Sequence, residues 1–170
     1  MVMVPTVERM QSSDLKAASE VLQAAFEEHA SEAPRGLGQL REELSRSWSR
    51  LWVARESSDS PVVAVLLAWH VVDELEVLDV ATHPAHRRRG LARALVNAAL
   101  QYAAENSLVR LLLEARRSNL PAIALYRGAG FYLSGLRARY YSDDEDAVLM
   151  TLTMSAATGE VTWHADEVTL

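Results

Sequence analysis

The residues Arg87, Arg88, Arg89, Gly90, Leu91 and Ala92 hold the densest chemistry in this chain. They close the stretch LDVATHPAHRRRGLA, in which an apolar run from Val77 to Ala81 breaks at Pro84, passes the three arginines and enters, through Gly90, a helical segment LARALVNAAL. Strand, basic glycine turn and helix start together make an anion site. The first N–H groups of a helix have no partner within it, and the peptide dipoles add positive potential there, so backbone alone can satisfy a phosphate. Gly90 and Ala92 keep side-chain bulk out of the path of a diphosphate. A phosphorylated cofactor is expected at this turn, held mainly by the N–H groups from Arg87 to Ala92. The plainer alternatives for the arginines are a solvated basic run or a nucleic-acid patch. The net charge of -6 opposes nucleic acid and makes the cluster a local exception.

Other chemistries are narrowed by residue type. There is no cysteine, hence no thiol nucleophile, no disulfide and no cysteine-based metal site. His83 and His86 have no carboxylate following at ligand spacing; they are read as solvated loop residues, and no metal is expected. Asp143 to Asp146 reads as a solvated turn, with attraction of a cationic peptide as the alternative. No segment approaches about 18 consecutive apolar residues, and the N-terminus lacks a basic stretch followed by a long apolar run. A cytoplasmic protein with no membrane contact is the expectation.

The elements that must position these residues follow from periodicity. At 170 residues, 49% of them hydrophobic, the chain suits one domain, placed at residues 1–154 with a tail at 155–170. Val2 to Arg9 is a strand candidate. Ser13 is expected to cap a helix carrying Leu15, Ala18, Leu22, Ala25 and Phe26 on one face. Leu37, Leu40, Leu44 and Trp48 recur at helical spacing in a second helix. Leu51 to Arg55 and Val62 to Val72 read as strands joined by SSDSP, the second apolar on both faces, and Leu75 to Thr82 follows as another. The helix from Gly90 ends near Glu105. Val109 to Ala115 is a buried strand with Glu114 near its end. Next come an N-cap at Asn119, a proline tolerated in the first turn, a helix and a C-terminal glycine at Gly130. Phe131 to Tyr141 and Ala147 to Met154 are the last strands of the domain; the tail is either loose or an added strand. The fold class is a mixed α/β sheet with helices on both faces.

With these elements placed, the chain resembles the GNAT N-acetyltransferases over roughly Val2 to Met154. That superfamily's cofactor pattern, Q/R-x-x-G-x-G/A directly after a strand, is met by Arg87 to Ala92. Within it, Glu114 to Asn119, Ala122 to Tyr126, Gly130 with Phe131, Tyr140 with Tyr141, and Glu145 with Asp146 resemble the RimI-type ribosomal-protein alanine N-acetyltransferases. Where those chains carry Pro-Trp between the first two helices, this one reads HASEAPRGLGQL.

The resemblance implies a mostly antiparallel sheet with a central parallel strand pair, acetyl-CoA as donor, and direct attack by a primary amine in a ternary complex. It puts Glu114 in the role of base, directly or through a water, and Tyr126 in that of acid toward the departing thiolate and in contact with the cofactor. It also implies that Asn119 reaches the pantetheine arm and that Val80 and Ala81 offer backbone groups to it and to the acetyl oxygen. Each role has a bland competitor: for Glu114 an ion pair with Arg116 or Arg117, for Tyr126 a core position beside Ile123, for Asn119 the helix cap alone. The implied acceptor is the N-terminal alanine of a ribosomal protein; a small-molecule amine and a catalytically silent acyl-CoA-binding module are the alternatives. An α-amino group is about a tenth neutral at pH 7, so such an acceptor demands little of its base.

Overall fold

A computed structural model describes residues 4–27 and 34–170. Among them are four α-helices and eight strands. The strands follow the hydrogen-bonded order β1-β2-β3-β4-β5-β7-β6, with β8 paired to β7. They are β1 (Thr6–Arg9), β2 (Ser49–Arg55), β3 (Ala64–Val71), β4 (Glu74–Thr82), β5 (Arg110–Arg116), β6 (Tyr132–Arg137), β7 (Ala147–Met154) and β8 (Val161–Thr162). The helices are α1 (Leu15–Phe26), α2 (Leu37–Ser45), α3 (Leu91–Glu105) and α4 (Leu120–Ala129). The sheet is mixed and mostly antiparallel, with β4 and β5 parallel from Glu74↔Arg110 to Val77↔Leu113. The expected fold class stands. The residues divide into two compact units, Met1–Trp69 with Leu78–Ala99, and His70–Val77 with Leu100–Leu170.

In the first unit, α1 turns Leu15, Ala18, Val21, Leu22 and Ala25 onto Leu51, Val53, Val65 and Leu67 of β2 and β3, with Leu40 of α2 and Ala81 in the same core. Burying each of the valines and leucines contributes roughly 1.5–3 kcal/mol and holds β3 in place. Ser13 does not cap α1. A 3-10 turn over Ser12–Asp14 precedes it, because the Asp14 carboxylate accepts the Gln11 N–H at 2.9 Å and pairs with Arg55 at 2.6 Å. The second helix ends at Ser45, short of Trp48, where Arg46 turns to extended backbone. Val2 of the first strand, and residues 29–33 of the segment that departs from the resemblance, lie outside the described residues.

In the second unit, β7 pairs with β5 on one side and with β6 and β8 on the other. The expected strand Phe131 to Tyr141 stops at Arg137. Its register shifts between Leu133 and Gly135, and Arg139 takes φ 51 with its N–H bound to Asp146 at 3.0 Å. The tail supplies β8 and continues to Asp166 and Glu167, which meet the Leu133 N–H and carbonyl, each at 2.8 Å. Gly130 ends α4 at φ 108, and a Cβ there would lie 2.7 Å from Val161. That position admits glycine for two reasons, the left-handed backbone and the tail packed on it.

Candidate active site

The basic turn occupies the first unit, between β4 and α3. Pro84–His86 forms a 3-10 turn capped by the His83 ring, which accepts the Ala85 N–H at 3.2 Å. Arg88 and Gly90 then take φ 65 and 78, and residues 87–90 are exposed. A left-handed residue on either side of Arg89 folds the chain tightly, and the first intrahelical bond of α3 begins only at the Ala94 N–H, to the Gly90 carbonyl at 2.9 Å. The N–H groups of Leu91, Ala92 and Arg93 therefore have no partner within the helix, and no acidic residue stands in its first turn. Nothing lies within 4 Å of where a Gly90 Cβ would be. Open space, unpartnered helix-start amides and a bare glycine fit the diphosphate of a coenzyme A. Upstream on β4, Ala81 is buried and Val80 half-buried.

Two of the three exposed arginines have partners within the fold. Arg87 reaches the Ala25 carbonyl at 3.4 Å. Arg89 pairs with Glu56, which also takes the His86 ring at 2.7 Å. The hydrogen bond from His86, followed by Arg89, holds the Glu56 carboxyl below its ordinary value against a desolvation that raises it. His83 is thus a turn cap and His86 a hydrogen-bond partner of Glu56, both half-exposed in the loop between β4 and α3. Among the described residues no cluster suits a metal ion.

The second unit holds Glu114, Asn119 and Tyr126. Glu114 is half-buried on β5 opposite Leu149 of β7. Its carboxylate pairs with Arg137 at 2.7 Å and accepts the Tyr140 hydroxyl, a bond that, ahead of burial, raises the pKa of that phenol. Neither arginine weighed as its partner is the one found. Arg116, 6% exposed, is taken by Asp143 at 2.9 Å and Glu145 at 2.8 Å, under the Tyr141 ring at 4.0 Å, and Arg117 binds Asp146 at 3.1 Å. The acidic turn is accordingly an anchor for the end of β5, not a merely solvated loop. Hydrogen bonds from Ser118, then from Arg116, pull the Glu145 carboxyl down to about 2.

Asn119 caps α4, its side chain accepting the Ala122 N–H at 3.2 Å, with a proline in the first turn as expected. Tyr126 is 7% exposed beside Ile123, its ring edge-on to Phe131 with centroids 5.8 Å apart. It is packed as a core residue. Arg137 and Tyr140, as partners of Glu114, and Glu56, as partner of Arg89, were not singled out from sequence. The only signal was the Tyr140-Tyr141 doublet.

The model of the acetyltransferase (GNAT) family matches residues 15–131. The chain is 35% identical over 102 residues to the [ribosomal protein bS18]-alanine N-acetyltransferase of Salmonella typhimurium, covering 58% of this chain and 69% of that protein. A Bacillus subtilis relative is 36% identical over 88 residues, which span 58% of its own length. The crystal structure of the ribosomal-protein-S18-alanine N-acetyltransferase from Escherichia coli superposes with a TM-score of 0.78 at 29% identity, covering 89% of this chain and 95% of that one.

Proposed function

The chain belongs to the acetyltransferase (GNAT) family and is an acetyl-CoA-dependent N-acetyltransferase, and on that premise we propose that it acetylates the N-terminal alanine of a ribosomal protein in the cytoplasm. The observation that carries the acceptor is the 35% identity over 102 residues to an enzyme named for that reaction. Acetyl-CoA supplies an acetyl group already activated as a thioester. The turn at residues 87–92 binds its diphosphate through backbone N–H groups, and the β4 backbone at Val80 and Ala81 orients the pantetheine arm and the acetyl oxygen. Asn119 adds a side-chain amide toward that arm while keeping its cap.

Glu114 takes the proton from the attacking α-amino nitrogen, directly or through one water, and Arg137 and Tyr140 fix the orientation of its carboxylate. Tyr126 returns a proton to the sulfur as the carbon–sulfur bond breaks. No residue of the chain becomes acylated, in keeping with direct transfer. The test is release of free thiol with a panel of N-terminal peptides and small amines. Activity on alanine-initiated peptides is expected; activity confined to small amines would overturn the acceptor, and binding without transfer to any amine would overturn the whole assignment.

A further inference from the structure

The backbone of the turn before α3 does little to hold itself in shape. The N–H groups of Arg88, Arg89 and Gly90 make no hydrogen bond among the described residues, and the last backbone bond ahead of them, from the Arg87 N–H to the Pro84 carbonyl, is 3.4 Å long. Arg88 also stands at φ 65, a left-handed conformation that a residue with a side chain keeps only where its surroundings enforce it. Residues 87–90, all exposed, therefore depend on support from outside the turn.

That support comes from Glu56, the residue that follows β2. Its side chain is 19% exposed, and a single oxygen, Oε1, accepts from the His86 ring at 2.7 Å and from the Arg89 guanidinium. Arg89 commits a second nitrogen, Nη2, to the Ala85 carbonyl at 3.3 Å. His86 stands at the entry of the turn and Arg89 at its centre, between the two left-handed residues. One carboxylate thus grips the turn at two points, from 30 and 33 positions away. Arg89 gives its side chain to the protein and leaves its N–H unpaired.

A carboxylate beside an anion site has two effects of opposite sign. Its charge repels phosphate, whereas its grip on Arg89 and His86 holds the backbone ready and lowers the ordering cost of binding. The two donors that neutralise it weaken the first effect and constitute the second. We propose that Glu56 is a positioning residue for the cofactor: by holding the Arg89 guanidinium and the His86 ring on one carboxylate, it keeps residues 88–90 in the left-handed turn whose N–H groups take the diphosphate. The proposal rests on residues 87–92 being the diphosphate site and adds the residue that pre-forms it. With Arg89 44% exposed, the ion pair contributes little to the stability of the whole fold; its effect is local to the turn.

The experiment measures acetyl-CoA affinity of the full chain by calorimetry at one moderate ionic strength. Glu56→Gln removes a negative charge, so electrostatics alone would tighten binding; the expected result is binding about threefold weaker, the scale of an exposed ion-pair coupling. Glu56→Asp, which keeps the charge but not the reach, should weaken binding to a similar extent. Arg89→Gln should weaken it too, and in that background Glu56→Gln should cause no further loss, because the grip is already gone. Unchanged or tighter binding in Glu56→Gln, or losses that multiply in the double variant, would overturn the proposal. Urea unfolding checks that each variant is folded; should Glu56→Gln fail to fold, Glu56→Asp, alone and combined with Arg89→Gln, decides in the same way. Gly90→Val separates this proposal from the reading beneath it. If wild type binds acetyl-CoA and Gly90→Val binds it equally well, the turn is not the site and the proposal falls with it. If Gly90→Val weakens binding while Glu56→Gln does not, the turn stands and only the role of Glu56 falls.

Discussion

The turn before α3 presents its backbone, with Arg88 and Gly90 both at positive φ, four exposed residues and the unpartnered amides of a helix start. Around Glu114 the backbone is ordinary strand, and everything depends on side chains brought from β6 and the loop after it: Arg137 at 2.7 Å and the Tyr140 hydroxyl. One region is made by neighbours in sequence, the other by register between distant segments. A local site tolerates change in the side chains it does not use. A site assembled at a distance fails when any contributor shifts.

That contrast can be broken, and the largest effect offers the first attempt. Glu114→Gln keeps shape and hydrogen-bonding capacity but cannot take a proton; kcat should fall about a hundredfold or more with acetyl-CoA affinity intact by calorimetry. A wild-type rate would remove Glu114 from the chemistry and leave it a structural partner of Arg137.

Gly90→Val comes next. A β-branched residue at φ 78 is strained by roughly 1–3 kcal/mol, and its side chain enters the open space at the turn; acetyl-CoA should bind at least about tenfold more weakly. Replacing all three arginines by alanine should cost less at moderate salt. If the arginine variant loses as much as Gly90→Val, the site is built from side chains after all and the contrast collapses.

Glu145→Gln tests the anchor at the end of β5. The folded carboxyl titrates near 2, below its ordinary 4.5, so its contribution is complete above about 4.5 and disappears as the pH falls through about 2. The variant should lose about 1–2 kcal/mol at pH 7 in urea unfolding, the worth of a charge-assisted hydrogen bond reduced by solvent screening. Its deficit should close toward pH 2; one that persists there would mean that packing, not charge, holds the loop.

The smallest effect separates the two duties of Asn119. Asn119→Ala removes the cap of α4 at a cost of about 1 kcal/mol, visible as a drop in Tm. If acetyl-CoA affinity is unchanged, the cap is its only duty; a weakened affinity sharpens the case for contact with the pantetheine arm.

The amphipathic faces of α1 and α3, the apolar strand β3, the cap at Asn119 and the left-handed stop at Gly130 were all legible in the sequence. Each depends on contacts within a few residues or on a repeating apolar face. The same holds for the basic turn, whose chemistry is that of a contiguous backbone. Element ends were less legible wherever a distant side chain intervened. Asp14, pulled by Arg55, tightened the approach to α1, and Asp146, binding the Arg139 N–H, cut short β6.

The partners of the charged residues were beyond sequence altogether. Glu114 has two arginines within three positions and pairs with neither, because Asp143, Glu145 and Asp146 take both. Which cation meets which anion is settled by strand register and loop closure, at separations such as the 44 positions between Arg35 and Asp79. The tail likewise became a strand only because β7 had an edge left to pair. What the sequence determined by itself was the basic glycine turn and the helices and strands that carry it, since backbone conformation and helix ends are short-range. The tertiary structure alone decided how the charges pair, since ion pairs form between whichever groups the folded chain brings within reach.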